Sequence, residues 1–493
     1  MQTAIYEAIT QLIRDGQPEI SQLDALLALD RQAQPVVELL LTQYVEGDGK
    51  IGSFEWKAWN SALRISQSLF QAYEYFLHYI RDATDDDWAE EEPLVHVQLC
   101  RHRKVEFLLR FLRYKKHSVE LWRQLHEMYR AAREHDLLIS PDATSETGGE
   151  PRMMGELQQE YLQILLLEAM NNGRFSPREA LWAHHWFARW CSAPGLQLAQ
   201  LDDIVHLEPK GFVVDLHGSD GLIRVHAEGG NLHADNLLYL DPSRLSEMID
   251  HEKAALRDGA TLAHTATLAV RAGQLALLSK LAILFAPKPV DIERRAERTP
   301  VALAVQAIAG FPCIVDKLRK DGTVDAIPQT WQVKDRSDSG CRMRGQIDDL
   351  THVIPGSLIA VRDSETAPWI VAVVRWFRRL MVDHVEIGVE YLGREPRLVK
   401  MVTDCKGDLA IAEISNFASR CFAALYLPPS GEYPTRPIKT LLLPAREFRT
   451  DCDVTLLSSS ATYRMRLSEP IQQQFEYVLT SFAVVDEVAP LLQ

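Results

Sequence analysis

This sequence of 493 residues lacks most of the marks that betray a catalytic activity. It contains no Gly-x-Ser-x-Gly, no Gly-x-x-x-x-Gly-Lys-Ser/Thr and no His-Glu-x-x-His; His251-Glu252 has no second histidine behind it. A nucleophile elbow, a phosphate loop and a zincin helix are therefore excluded, and a role other than catalysis is expected. Cysteine is sparse. The seven residues Cys100, Cys191, Cys313, Cys341, Cys405, Cys421 and Cys452 are odd in number, scattered, and form no Cys-x-x-Cys. That argues against a disulfide framework or a zinc site, leaves no metal to expect, and points to a reducing cytoplasm.

Long apolar runs are missing too. The most apolar span, Leu275 to Pro287, contains Lys280 and falls far short of the ~20 residues that a membrane helix needs. No transmembrane segment is expected. The first residues, Met1 to Ile9, lack the basic region and apolar core of a signal peptide and read as an amphipathic helix. Positive charge is in deficit, with a formal net charge of −15. General nucleic-acid binding needs a basic face and is excluded; a local basic pocket for one small anion is not.

What is present is an ordinary globular composition, 46% hydrophobic and 25% charged. At ~150 residues per domain the length implies three or four domains. The fold class expected is multidomain α+β, in four parts. These are a helical domain (1–197), a mixed α/β segment (198–290), a β-barrel (291–400) and a second β-rich domain (401–493).

The helical part is clearest from Trp56 to Ile80, where Trp56, Trp59, Leu63, Phe70, Tyr73, Leu77 and Ile80 recur at three- and four-residue steps. An acidic run, Asp85 to Asp87 and Glu90 to Glu92, follows as a solvated loop. Arg101, Arg103, Lys104, Arg110, Arg113, Lys115 and Lys116 read as the charged outer face of a helix. Residues 139–155 form a loop by composition. Ser176-Pro177-x-Glu179 is a strong helix start. His184 and His185 are adjacent, so they point to different helix faces and do not share a metal.

Beyond 200 the period shortens. Phe212 to Val225, with Gly218-Ser219-Asp220-Gly221 in the middle, reads as a hairpin, and Asn236 to Leu240 as a strand. Helices are expected from Pro242 to Gly259 and from Gln274 to Phe285, with Pro287 and Pro289 ending the second. Strands are then expected from Pro300, at Cys341 to Arg344, Gly356 to Arg362, Trp369 to Phe377 and His384 to Tyr391. Five more are expected between Cys421 and Phe482, as a second barrel packed on the first.

The most informative stretch is 291–345. Arg294, Arg295 and Arg298 cluster just before a strand, where guanidinium forks suit a phosphate. Asp335-x-Ser337-x-x-Gly340 offers a carboxylate, a hydroxyl and exposed backbone, which suit the hydrogen-bonding edge of a base. The residues alone do not choose the nucleotide.

Arg294-x-x-x-Arg298 followed by Asp335-x-Ser337-x-x-Gly340 resembles the signature of PilZ domains, bacterial receptors for cyclic di-GMP built as six-stranded β-barrels. The Pro355-Gly356 strand start and Ile387 to Tyr391 sit where such domains carry them. The resemblance implies a cyclic di-GMP receptor acting in motility, exopolysaccharide or biofilm control. In it, Arg294 and Arg298, with Arg295 as an extra contact, grip the ligand, while Asp335, Ser337 and Gly340 meet a guanine edge. An unidentified protein partner would read the output through the helical region. The alternative is an interaction scaffold whose barrel binds no nucleotide. The stretch Asp316 to Gln329 is longer than the family usually has and is expected as an extended hairpin.

Overall fold

The computed structural model describes residues 7, 19–46, 54–82, 88, 91–134, 155–200, 211–225, 236–258, 268–288, 297–319, 327–346, 353–381, 384–403, 421–429, 438–449, 453–457 and 462–488. The expected N-terminal helix, Asp85 to Asp87, nearly all of loop 139–155, Gly259, Arg294 and Arg295 lie outside these residues. The chain divides into two compact units, residues 1–252 with 280–291, and 253–279 with 292–493.

From Ile20 on, the described residues of the first unit form α1 (Ile20–Glu46), α2 (Phe54–Asp82), α3 (Glu92–Phe111), α4 (Val119–Glu134), α5 (Glu156–Met170) and α6 (Pro177–Cys191). The apolar stripe of α2 is buried at Trp59, Phe70, Tyr73, Leu77 and Ile80, whereas Trp56 at its start is exposed. The capping box forms as read: Glu179 N–H donates to Ser176 Oγ at 3.3 Å, and Ser176 N–H to a Glu179 carboxylate oxygen at 2.8 Å.

Lys115 and Lys116 are exposed as their spacing implies, but Arg101, Arg103, Lys104 and Arg110 are only partly exposed. α3 packs against α2, α4, α5 and α6. Two of its cations are consequently drawn to α5, Arg101 to Glu156 and Glu160 at 3.0 and 3.1 Å and Lys104 to Glu160 at 2.5 Å, while Arg103 and Arg110 pair within α3 with Glu106 at 2.7 and 2.8 Å. A half-buried cation needs such a partner.

A small antiparallel sheet follows, with β1 (Leu198–Gln200), β2 (Phe212–Asp215), β3 (Ile223–Arg224) and β4 (Leu237–Leu240) in the order β1-β4-β2-β3. The hairpin turn docks on α4. A Cβ on Gly221 would lie 2.8 Å from the Trp122 ring, so the turn approaches as closely as only glycine permits. His126 Nε2 lies 3.1 Å from the Asp220 carbonyl and Nδ1 2.7 Å from Tyr161 Oη. A carbonyl only accepts, so Nε2 carries the hydrogen and Nδ1 accepts from the hydroxyl. Two helices come next, α7 (Pro242–Arg257) and α8 (Leu268–Leu284). The second starts six residues before the expected Gln274.

The remainder is two closed barrels. The first contains β5 (Thr299–Ala309), β6 (Gln329–Ser337), β7 (Gly340–Gln346), β8 (Leu358–Arg362), β9 (Ile370–Arg379) and β10 (His384–Arg394), ordered β5-β6-β7-β10-β9-β8 and closing on β5. The second contains β11 (Arg397–Thr403), β12 (Cys421–Leu427), β13 (Thr440–Pro444), β14 (Asp453–Leu457), β15 (Thr462–Gln473) and β16 (Tyr477–Val488), ordered β11-β12-β13-β16-β15-β14. Every neighbouring pair is antiparallel, so closure leaves no open sheet edge.

Of the hairpin expected at 316–329, residues 320–326 lie outside the described residues, and Asp316 to Leu318 are helical instead. Phe311–Leu318 is a helix, α9, and Asp316 belongs to its last turn. Phe311, Ile314 and Val315 are buried in one cluster with Leu358 and Val373 of the first barrel and Leu425 and Leu442 of the second. Burial of that apolar face on both barrels favours a helix at this place.

Candidate functional site

The Asp335 to Gly340 motif forms the tip of the β6–β7 hairpin, with Asp335↔Arg342, Arg336↔Cys341 and Ser337↔Gly340 as paired positions. Asp338 and Ser339 make the turn. Trp331 and Val333 face the barrel core, and strict alternation would send Asp335 inward with them. A β-bulge between Val333 and Asp335 shifts the register by one and re-aims the carboxylate to the outer face, beside Arg342.

Gly340 is required by close approach. A Cβ there would stand 2.0 Å from the Val389 carbonyl oxygen on β10, and Ser339 accepts a hydrogen bond from Tyr391 N–H at 2.9 Å. Ser337 Oγ donates to the Gly340 carbonyl at 3.3 Å and lies 3.1 Å from Ser339 Oγ.

Arg298 stands immediately before β5, where Thr299 pairs with Arg336 and Pro300 with Asp335. Its Nη1 donates to Asp335 Oδ1 at 3.0 Å, while Arg342 Nε donates to Oδ2 at 2.6 Å. The structure thus brings Arg298, Asp335, Ser337 and Gly340 together.

The sequence reading missed the neighbours of this cluster. Glu386 on β10, its side chain only 1% exposed, takes Arg344 Nε at 2.5 Å and Arg378 Nη2 at 3.1 Å, with Arg342 Nη1 at 3.6 Å. Arg342 therefore links two carboxylates. Four guanidinium groups meet two acids across β6, β7, β10 and β9, a locally cationic face on an acidic chain. Trp376 packs over Gly388, where a Cβ would lie 2.0 Å from the indole nitrogen. The Arg342-x-Arg344 alternation was the signal available; the Glu386 and Arg378 contributions depend on register.

Behind the hairpin, Arg336 is clamped to Asp363 at the end of β8 by two bonds of 2.9 and 2.5 Å. The Arg336 guanidinium holds the Asp363 carboxyl below its ordinary range. Among the described residues no group of histidine, cysteine or acidic side chains is placed to hold a metal ion. No helix among them is long and apolar enough to cross a membrane.

Residues 1–200 match the family model for the N-terminal domain of the cyclic-di-GMP receptor FimW, and residues 319–396 match the model for its middle PilZ domain. The second match takes in the whole Asp335 to Gly340 motif and begins after Arg298. No curated protein matches the chain.

Proposed function

The first barrel is a PilZ domain, and from that premise we propose that this chain is a non-enzymatic, cytoplasmic receptor for cyclic di-GMP. The observation that carries the reading is the contact of Arg298 with Asp335, which joins the two halves of the motif across 37 positions of sequence. In this reading the Asp335 carboxylate accepts from the N1 and N2 hydrogens of guanine, and Ser337 and Gly340 border the base. Arg294, Arg295 and Arg298 hold the phosphates. Ligand entry moves Arg298 from Asp335 to a phosphate, exchanging one charge-assisted bond for another.

The output is a ligand-dependent change in how the helical domain (1–197) and the mixed segment (198–290) present themselves to a protein partner. The PilZ barrel (291–400) is the sensor, and the C-terminal domain (401–493) supports it.

Calorimetric titration of cyclic di-GMP into the full chain tests this. Each charge-assisted contact contributes roughly 1.5–3 kcal/mol, so alanine at Arg298 or Asp335 lowers affinity by about 10- to 150-fold. Undiminished binding after alanine replacement of Arg294, Arg298 and Asp335 together removes the site assignment. A second reading, a scaffold that binds no nucleotide, draws on one observation: both Asp335 oxygens are already occupied by arginines. Absence of ligand heat together with a stably co-purifying protein partner favours that alternative.

A further inference from the structure

Within the first unit, α1, α2, α3, α5 and α6 line a cavity of about 400 Å³. Its volume is that of a small-molecule pocket, an order of magnitude above the ~30 Å³ of one liquid water. Part of the lining is aliphatic, formed by Val37 and Leu41 of α1, Leu69 of α2 and Val105 of α3.

The polar part is charged, and its cations are already matched. Arg101 is held by Glu156 and Glu160, and Lys104 by Glu160. Asp30 is different. It is 2% exposed; its Oδ2 accepts from Tyr73 Oη at 3.0 Å and lies 3.1 Å from His102 Nε2. Its Oδ1 has no hydrogen-bond partner among the described residues. Burial pushes the carboxyl up, but the bonds from His102 and Tyr73 outweigh it and hold the group below its ordinary range, so it is anionic. His184 Nδ1, on the α6 side of the cavity, also lacks a partner among the described residues, and burial keeps that imidazole neutral. Unmatched capacity in this cavity is therefore mainly for accepting hydrogen bonds. A buried anionic oxygen without a donor is costly, and a cationic donor relieves that cost.

We infer that the cavity binds a small alkylammonium ion, with its charged head at Asp30 and its carbon chain against Val37, Leu41, Leu69 and Val105. A ligand anion would have to draw Arg101 and Lys104 away from Glu156 and Glu160. A neutral chain would leave Asp30 as it is.

The test titrates hexylammonium, 1-hexanol and hexanoate into the full chain by calorimetry. Hexylammonium gives a saturable heat, and the other two bind at least ~10-fold more weakly. Asp30→Asn reduces hexylammonium affinity by about 10- to 150-fold. Because Asp30 also anchors Tyr73 and His102, a second variant leaves those bonds intact. Gln34 is an exposed residue of the lining, and Gln34→Trp fills the space, abolishing binding while the helical circular dichroism is retained. Tighter binding of hexanoate, equal binding of the alcohol, unchanged binding in the folded Gln34→Trp chain, or no binding of any probe overturns the proposal.

Discussion

Arg298 Nη1 and Asp335 Oδ1 lie 3.0 Å apart, so the arginine before the barrel is latched to the hairpin that the barrel presents. The Arg298 side chain is 33% exposed and that of Asp335 12%, which places the pair at the rim of the solvent. A double-mutant cycle on Arg298→Ala and Asp335→Ala, read by urea denaturation, should return a coupling of about 0.5–1 kcal/mol, reduced by added salt. The latch is thus weak enough for a ligand to open.

Gly340→Ala should damage the hairpin more than loss of the Arg298–Asp335 pair. The added methyl meets the Val389 carbonyl, a backbone atom that moves only if β7 and β10 separate. A loss of about 1–3 kcal/mol is expected, as for overpacking. Thermal denaturation measures the loss, and amide exchange on β10 locates it.

Glu386 and Arg378 should respond unequally. The arginine side chain is 55% exposed and remains solvated when its partner goes, while Glu386 is 1% exposed and carries several arginines. Arg378→Ala is expected to cost at most about 1 kcal/mol. Glu386→Ala leaves a cluster of like charges and is expected to cost about 3 kcal/mol. Urea midpoints of the two variants compare them, and high salt should recover part of the second loss.

The helical unit should lose stability in mild acid through His126. Burial pushes its imidazole from 6.5 down to about 4. Between those values the unfolded chain binds a proton that the folded one refuses, so stability falls as the pH drops through this window, by roughly 1.4 kcal/mol per pH unit at most. Above pH 6.5 the group is neutral in both states and its contribution is complete. Denaturation of the full chain and of His126→Phe at pH 7 and pH 4.5 checks this; the variant should show the shallower pH dependence.

The signals that read correctly were local ones. Ser176-Pro177-x-Glu179 specifies its cap within four residues, and the strand patterns of Gly356 to Tyr391 alternate with turns between them. β11 was hidden because only Glu395 and Pro396 separate it from β10. Glu395 turns the chain at φ 52 without the glycine that usually marks such a place. α9 carries a helical face, Phe311, Ile314, Val315 and Leu318, but its β-branched residues and brevity leave it without a clear helical signal in the sequence. The pairing of Arg101 with Glu156 and Glu160 spans 55 and 59 positions, and no spacing rule reaches that far. At the site, both motifs were legible, whereas the bulge that turns Asp335 outward exists only as a mismatch between two strands.

The two-residue passage from β10 to β11, with α9 wedged into apolar side chains of both barrels, bears on how this barrel can be inherited. A gene fragment ending at Glu395 would encode a barrel whose Leu358, Val373 and Leu392 had lost Leu425, Leu442 and Tyr477 as neighbours. Such a fragment would expose that apolar patch and be prone to self-associate. Recombination that moves this PilZ domain to a new setting therefore has to carry the second barrel along, and the pair behaves as one unit of exchange.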